Sequence, residues 1–314
     1  MKVLITGGAG FIGGHVAEAY LARGDRVWIV DDLSTGKRAN VPAGAELVEM
    51  DIGDAALDAL FAEAGGFDLV NHHAAQIDVR RSVADPRADA RTNIDGLLNV
   101  LETAVRHEAG RVVFVSSGGV VYGEPDVLPT PETAPKRPLS PYGVTKLAAE
   151  YYLHYFEQIH GLEYVALRYS NVYGPRQDPH GEAGVVAIFS ERIRAGRALT
   201  VFGDGLQTRD YVYVGDVVRA NLLLGEARLQ RGPSLDDRAF NVGTGEGTSV
   251  LDLARVLMAA ADETVEVQHA EERAGELRHS RLDCRKGASF GWQPGTSLEQ
   301  GLRRTYSHIA GVEV

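Results

Sequence analysis

Two residues one helical turn apart carry the clearest chemistry in this sequence. Tyr142 and Lys146 stand four positions apart in the segment SPYGVTK, and residues at that spacing share a helix face. An ammonium group beside a phenol favours the phenolate and lowers the tyrosine pKa from its ordinary value of about 10. Such a tyrosinate can take a proton from a sugar hydroxyl while a hydride leaves the same carbon. We therefore expect Tyr142 as a catalytic base with Lys146 as its partner, although the pair alone also fits a solvated helix face.

A serine pair precedes this helix and offers a third catalytic hydroxyl. Ser116 and Ser117 follow an apolar run and come directly before Gly118 and Gly119. A hydroxyl at the end of that strand could bind the reacting oxygen, whereas serines in such places also form turns. We take Ser117 as the catalytic hydroxyl and leave Ser116 as the alternative.

A glycine-rich turn near the start of the chain predicts a dinucleotide site. Gly7, Gly10 and Gly13 follow a short apolar run and open a helical pattern. Glycines there allow a tight turn and remove side chains where a pyrophosphate must approach the helix N-terminus. The next apolar run ends at Asp31, whose carboxylate can accept hydrogen bonds from a ribose hydroxyl and would repel a 2′-phosphate. This favours NAD over NADP, and the nearby Lys37 and Arg38 weaken the preference slightly.

Two further strand ends supply candidate cofactor contacts. Asp51 and Ile52 follow the third strand, where a carboxylate could hold the adenine amino group. The segment HHAAQ follows the fourth strand, and its two alanines would let the backbone approach the cofactor. His72 and His73 are neighbours on a strand and therefore point to opposite faces, so we expect no metal at this place.

The elements that position these residues alternate regularly in the first half of the chain. Apolar runs at 3–6, 27–30, 47–50, 69–71, 111–116 and 164–169 predict strands, and helical patterns cover 11–23, 92–107 and 142–160. Continuous apolar strands separated by helices indicate a parallel sheet covered on both faces. We expect an α/β fold: a Rossmann-type doubly wound parallel sheet with a smaller mixed α/β C-terminal substrate lobe.

The second half is richer in loop signals, with short helices predicted at Val185–Arg194, Val214–Gly225 and Val250–Ala261. We divide the chain into an NAD-binding domain over 1–170 and a mainly nucleotide-sugar-binding lobe over 171–314, some of whose segments return to the sheet. The two lobes are expected to share a cleft at the carboxyl ends of the strands.

Composition excludes several classes of partner. The net charge of −11 argues against a general affinity for nucleic acid or anionic membranes. With Cys284 as the single cysteine, an intramolecular disulfide is impossible and a thiolate zinc site is improbable. The N-terminal segment is a strand leading into a turn and is not expected to be a signal peptide, and no apolar run approaches the roughly 20 residues of a membrane span. A cytoplasmic location follows.

These motifs together resemble the extended short-chain dehydrogenase/reductase superfamily, and within it the UDP-glucose 4-epimerase (UDP-galactose 4-epimerase) family. The resemblance covers essentially the whole chain. The matching segments, in the order of the family, are TGGAGFIG, DDLSTGKR, DI, HHAAQ, SSGGVVYGE, SPYGVTK, RYSNVYGPRQDP, VFGDGLQTRDYVYVGD and FNVGTGEG. They are highly specific for the superfamily and less so for the substrate.

The resemblance implies a role for each matching residue. Tyr142, Lys146 and Ser117 would form the catalytic group. The cofactor NAD would contact Gly7, Gly10, Phe11, Ile12, Gly13, Asp31, Asp32, Ser34, Thr35, Gly36, Asp51, Ile52, His73, Ala74, Ala75, Gln76, Asn93, Ser116, Tyr142, Lys146 and Tyr169. A UDP-sugar would contact Ser117, Gly118, Tyr142, Asn171, Val185, Val186, Phe202, Arg209, Arg273, Glu276 and Ser280. Arginine forks suit the diphosphate oxygens, and an acidic protein needs such local positive groups.

The implied reaction is inversion at C4 of a UDP-hexose. Tyr142 removes the C4 hydroxyl proton, NAD accepts the hydride, and the 4-keto sugar turns before the hydride returns to its other face. Related 4,6-dehydratases carry an Asp-Glu pair where this chain has Gly119 and Val120, so dehydration is disfavoured. Decarboxylases tend to place a glutamate there as well. Another extended family member acting on a different nucleotide-sugar (a UDP-glucuronate 4-epimerase, or a dTDP- or GDP-sugar epimerase, reductase or dehydratase) is the main alternative, and a catalytically inactive nucleotide-binding scaffold is a second.

Four finer expectations follow from the same resemblance. Many relatives carry a serine or threonine at the position of Gly118, which leaves Ser117 as the nearest substitute. The motif RxGD reads RAGE here, so Glu276 stands in place of aspartate. A small residue at Ser280 would leave room for an N-acetyl group on the sugar. Relatives often dimerise through two helices from each subunit, and the helices over 92–107 and 142–160 carry enough apolar surface to predict a homodimer.

Overall fold

The computed structural model describes residues 1–179, 184–272 and 277–312. Its strands are β1 (Lys2–Thr6), β2 (Arg26–Asp31), β3 (Glu46–Glu49), β4 (Leu69–His72), β5 (Arg111–Ser117), β6 (Glu163–Tyr169), β7 (Asn171–Tyr173), β8 (Leu199–Phe202), β9 (Thr208–Arg209), β10 (Tyr211–Tyr213), β11 (Ala239–Val242), β12 (Thr248–Ser249) and β13 (Val267–Ala270). Its α-helices are α1 (Phe11–Ala22), α2 (Leu57–Ala64), α3 (Val79–Ala84), α4 (Pro86–Ala90), α5 (Gly96–Arg106), α6 (Gly118–Val121), α7 (Pro141–His160), α8 (Val185–Arg194), α9 (Val214–Gly225), α10 (Val250–Ala261), α11 (Arg285–Ser289) and α12 (Leu298–Ala310).

The main sheet has the strand order β11-β6-β5-β4-β1-β2-β3. The pairs β1–β2, β1–β4, β2–β3 and β4–β5 are parallel, so Ile5 lies between Ile29 on one side and Asn71 on the other. The order reverses between β1 and β4, and open sheets of this kind bind ligands beyond the carboxyl ends of the strands at that switch point. The predicted Rossmann-type α/β fold is confirmed.

Two compact units divide the described residues. The first is built from Met1–Gly123, Lys136–Arg168 and Val218–Phe240. The second is built from Glu124–Pro135, Tyr169–Val217 and Asn241–Val314. Each unit is therefore assembled from three separate stretches of the chain.

The core of the first unit lies between the strands and the helices α2, α5 and α7. Its members are apolar and almost fully buried, among them Leu4, Val70, Leu101, Phe114 and Leu153. Burying each such side chain contributes about 1.5–3 kcal/mol relative to leaving it exposed. This packing holds the strand ends and α7 in place.

The core of the second unit gathers three helices around short strands. Apolar side chains of α8, α10 and α12 pack with those of β7, β8 and β10. Trp292 is also buried in this unit, and its indole donates to the Asp216 carbonyl over 3.0 Å.

Most predicted elements are confirmed, and one helix differs. The helices α8, α9 and α10 have the predicted bounds. The single helix expected over 92–107 instead begins as a π-helix at Arg91–Asp95 and continues as α5. In a π-helical turn the backbone hydrogen bonds join residues i and i+5, a difference that an apolar pattern read at 3.6 residues per turn does not reveal. Within the described residues, no helix is both long enough and apolar enough to span a membrane.

Candidate active site

The glycine turn between β1 and α1 packs directly against the loop that follows β4. Gly7 has a φ of 68°, and a Cβ atom there would lie 2.6 Å from the Ala74 nitrogen. At Gly13 a Cβ atom would lie 2.4 Å from the Gly7 carbonyl oxygen. Glycine is required at both positions for these steric reasons. Phe11 and Ile12 form the start of α1 and are partly exposed.

Asp31 ends β2 with an oriented carboxylate. Its two oxygens accept hydrogen bonds from the Ala9 and Leu33 amides, each over 2.9 Å. Burial raises the pKa of the Asp31 carboxyl, and although the two amide hydrogen bonds lower it, the net effect is a raised pKa. Each carboxylate oxygen can accept more than one hydrogen bond. Asp31 therefore has acceptor capacity left for a ribose hydroxyl.

The remaining adenosine-side candidates lie in the turns after β2 and β3. Asp32 accepts hydrogen bonds from the Ser34 amide and hydroxyl, and Thr35 is exposed. Gly36 packs on Asp31, since a Cβ atom there would lie 2.5 Å from its Oδ1. The exposed Asp51 accepts from the Gly53 amide over 2.6 Å, while Ile52 is buried in the core.

Tyr142 and Lys146 lie together on the first turns of α7, which begins at Pro141 with Ser140 as its N-cap. Both are buried, and the lysine Nζ lies 5.9 Å from the centre of the tyrosine ring. Lys146 also donates to the Val115 carbonyl over 2.9 Å and lies 4.9 Å from the centre of the Phe114 ring. The predicted proximity of the phenol and the ammonium group is confirmed, and the ammonium is fixed on β5.

The ammonium of Lys146 also acts on the end of β4. Burial, and then the positive charge of Lys146, lower the pKa of His72 to about 3. The same two causes, in that order, lower the pKa of His73 to about 3. His72 bonds to Thr6 Oγ1 through its Nδ1 over 2.9 Å and stacks on Phe114. Lys146 therefore stands at the carboxyl ends of β4 and β5, beside the switch point of the sheet.

The two serines of β5 have different surroundings. Ser116 is buried and donates to Glu150 Oε1 over 2.5 Å. Ser117 is partly exposed and makes no capping hydrogen bond to α6, which starts at Gly118. Successive side chains of a strand point to opposite faces, so the Ser117 hydroxyl points away from the side on which Ser116 meets Glu150.

Asn93 sits in the π-helical turn and binds the loop after β4. Its Oδ1 accepts from the Gln76 amide, and its Nδ2 donates to the Gln76 carbonyl, both over 2.9 Å. This reciprocal pair fixes the end of the segment that contains Ala74 and Ala75. In the first unit the structure thus brings together Tyr142, Lys146, the HHAAQ segment and the glycine turn.

Of the predicted substrate residues, Ser117, Gly118 and Tyr142 belong to the first unit. The other described ones belong to the second unit, as does the cofactor candidate Tyr169. Asn171 starts β7, Val185 and Val186 start α8, and Phe202 ends β8. Arg209 donates to the Thr208 carbonyl over 2.9 Å, and the Ser280 amide donates to the same carbonyl over 3.1 Å. The predicted diphosphate arginine Arg273 and the ribose-side Glu276 lie outside the described residues.

The comparisons with known proteins agree on one family. The model of the NAD dependent epimerase/dehydratase family matches residues 3–243. The chain belongs to this family. The UDP-glucose 4-epimerase of Mycolicibacterium smegmatis is 44% identical over 97% of both chains.

Two solved structures of the family are similar along nearly their whole length. The UDP-glucose 4-epimerase of Thermotoga maritima, solved with UDP-glucose, is 44% identical with a TM-score of 0.94 and covers 99% of both chains. The UDP-glucose 4-epimerase of Thermus thermophilus, in complex with NAD, is 44% identical with a TM-score of 0.92 and covers 100% of both chains. The predicted family is confirmed.

Several buried polar residues are not indicated by any sequence motif. Asp210, inside TRDY, accepts hydrogen bonds from the Thr244, Gly245 and Leu282 amides. Burial raises the pKa of the Asp210 carboxyl by more than these hydrogen bonds lower it. Its position between an arginine and a tyrosine in a loop-rich segment was the only signal. Asp89 and Thr145 were missed as well, because neither stands in a recognisable spacing with its partners.

Proposed function

We propose that this chain catalyses the NAD-dependent 4-epimerisation of a UDP-hexose, interconverting UDP-glucose and UDP-galactose. The observation that carries the proposal is the buried Tyr142–Lys146 pair, with the ammonium fixed at the carboxyl ends of β4 and β5. The 44% identity to UDP-glucose 4-epimerases over nearly the whole chain supports the substrate.

The residues of the first unit fit NAD. A glycine turn packed on backbone and a buried carboxylate oriented by two amides form the adenosine side. When bound, NAD supplies a hydride acceptor at C4 of the sugar and later a hydride donor. The Tyr142 phenolate takes the C4 hydroxyl proton and returns it after the sugar has turned, while Lys146 stabilises the phenolate.

The short helix α6 favours epimerisation over dehydration. Its residues are Gly118, Gly119, Val120 and Val121, and none of these can protonate a leaving hydroxyl. Inversion at C4 needs one acid/base only, so Tyr142 suffices. Ser117 would bind the reacting oxygen, and Asn171, Val185, Val186, Phe202, Arg209, Arg273 and Glu276 would bind the UDP portion.

Tyr142→Phe tests the chemical assignment. We expect turnover of UDP-galactose to fall by a factor of at least about 100, because the acid/base is gone, while the purified protein still contains NAD. NMR of the products from a panel of UDP-, dTDP- and GDP-sugars measures inversion, dehydration and simple binding together. Near-normal turnover by the variant would overturn the role of Tyr142, and turnover of a different sugar alone would overturn the substrate.

The small side chain of Ser280 leads us to propose that the N-acetylated pair is accepted too. Ser280 follows Arg278 and His279, and its amide is held by the Thr208 carbonyl. Ser280→Tyr should abolish turnover of UDP-N-acetylglucosamine and leave that of UDP-galactose. If the native protein turns over UDP-galactose only, this extension is wrong.

We further propose a homodimer, supported by an apolar stripe on α7. Val144, Tyr151, Tyr155 and Ile159 recur at helical spacing and are 49–64% exposed. By contrast, the apolar face of α5 is used mainly in the core of its own unit. The cytoplasmic location stays a prediction from the sequence.

Tyr155→Glu with Ile159→Glu tests the dimer. Two carboxylates in an apolar interface are costly to desolvate, so light scattering should show a monomer where the native chain shows a dimer. Phe290→Glu, at an exposed apolar residue of the second unit, is the matched control and should leave the dimer intact. A native monomer would contradict the proposal.

A further inference from the structure

A buried carboxylate behind the catalytic helix gathers three segments of the first unit. Asp89, on α4, is 1% exposed. Its Oδ2 accepts from Thr145 Oγ1 over 2.7 Å, and its Oδ1 accepts from Gln76 Nε2 over 2.9 Å and from Asn93 Nδ2 over 3.1 Å. The three donors come from α7, from the loop after β4 and from the π-helical turn. Asp89 is thus the shared acceptor of all three.

Each donor holds a part of the proposed active site. Thr145 stands between Tyr142 and Lys146, and its Oγ1 also lies 3.0 Å from the Tyr142 carbonyl oxygen and 3.3 Å from Asn93 Nδ2. Gln76 ends the HHAAQ segment and is bound by Asn93 through both backbone groups. The network therefore ties the first turn of α7 to the segment after β4.

We propose that Asp89 is a positioning residue, which sets Tyr142 and Lys146 against the β4 loop through the hydroxyl of Thr145. This rests on the proposed epimerisation, because it assigns Asp89 a part in that chemistry. The carboxylate is buried and faces three protein donors, so its effect passes through Thr145, Gln76 and Asn93. Small displacements of a reacting group cost large factors in rate, which gives the network its importance for turnover.

The central test compares two substitutions at one position. Thr145→Val keeps the shape of the side chain and removes the hydroxyl, leaving a buried acceptor without its donor. Thr145→Ser keeps the hydroxyl. We expect Thr145→Val to lower kcat for UDP-galactose about 10–100-fold and KM to change less than about threefold, with Thr145→Ser within about threefold of the native enzyme.

Thr305→Val is the matched control for the loss of a buried hydroxyl. Thr305 is fully buried in α12 of the second unit and donates to the Gly301 carbonyl over 2.7 Å. Its valine variant should lose thermal stability and keep kcat. If Thr145→Val likewise keeps kcat, or if Thr145→Ser falls as far as Thr145→Val, the positioning role is wrong.

Asp89→Asn provides a second variant should Thr145→Val not fold. It should reproduce the fall in kcat, and the double variant should be no worse than either single one, because both break one network. A double variant whose losses multiply would contradict a shared route through Thr145.

A readout without turnover separates this proposal from the proposed function. The tyrosinate difference absorbance, with Tyr142→Phe as the blank, should rise at higher pH in Thr145→Val than in the native protein, because the phenol has lost its fixed place beside Lys146. NAD content should be equal in both. If the native protein epimerises no UDP-hexose, the proposed function fails, whereas an unchanged tyrosinate titration overturns the positioning role alone.

Discussion

At the scale of single residues, the neighbouring serines Ser116 and Ser117 have different surroundings. The Ser116 hydroxyl is committed to Glu150 in the interior, whereas Ser117 faces the other side of β5. We infer that Ser116 is structural and that Ser117 supplies the hydroxyl that binds the reacting oxygen.

Alanine at each serine should therefore have opposite effects. Ser117→Ala should lower kcat about 100-fold, the usual order for a lost hydrogen bond to a developing oxyanion, and leave the urea midpoint unchanged. Ser116→Ala should cost about 1–3 kcal/mol of unfolding free energy, because Glu150 loses a buried donor, and keep most of kcat. Steady-state kinetics and urea unfolding of both variants measure this. The reverse pattern would assign the catalytic hydroxyl to Ser116.

At the scale of elements, a buried ion pair joins α7 to β6. Arg168 Nη2 lies 2.6 Å from Glu150 Oε2 and 2.8 Å from Asp236 Oδ1, and its Nη1 donates to the Tyr122 hydroxyl. Burial lowers the pKa of Arg168, but Glu150, Tyr122 and Asp236 together raise it by more, so the net effect is a raised pKa. The guanidinium therefore stays charged, and its partners depend on that charge.

Arg168→Met should destabilise the protein by about 3–5 kcal/mol, because it leaves two carboxylates facing an apolar side chain. Urea unfolding with circular dichroism measures the change. Arg303→Met removes the exposed Arg303–Glu299 pair of α12 and serves as the control, since exposed pairs contribute little. If both variants lost the same unfolding free energy, the buried pair of Arg168 and Glu150 would stabilise the protein no more than an exposed pair does.

The elements also show what sequence patterns predict well and what they miss. α8, α9 and α10 were predicted to the residue because apolar residues recur at helical spacing between clear breaks. The π-helical turn was missed because its hydrogen bonds between residues i and i+5 leave no mark in a pattern read at 3.6 residues per turn. The same holds for the candidate site. Sequence motifs predicted Tyr142 and Lys146, whereas Asp89 and Thr145 are far apart in the sequence and are brought into contact only by the fold.

At the scale of the whole molecule, the buried His72 links stability to pH. Its pKa is about 3 in the folded protein, below the ordinary value of 6.5, so between these two values the unfolded chain binds more protons. The contribution of the neutral His72 ring to the unfolding free energy is fully present above pH 6.5 and is lost as the pH falls towards 3.

His72→Asn removes this titration. The unfolding free energy of the native protein should fall more steeply with acid than that of the variant, by about 1.4 kcal/mol per pH unit within this window. Urea unfolding at a series of pH values between these limits measures both slopes. Parallel slopes would mean that the His72 ring is protonated in the folded state.

The interleaving of the two units sets an order of events during synthesis. β11 lies at the edge of the seven-stranded sheet, and its first two residues close the last stretch of the first unit. A ribosome must therefore translate more than two thirds of the chain before the sheet can be completed. Until then β6 has an unpaired edge, and such an edge invites pairing with other chains. Between the translation of β6 and that of β11 the nascent chain therefore exposes a strand edge, and a gene cut between these two strands would leave that edge permanently without its partner.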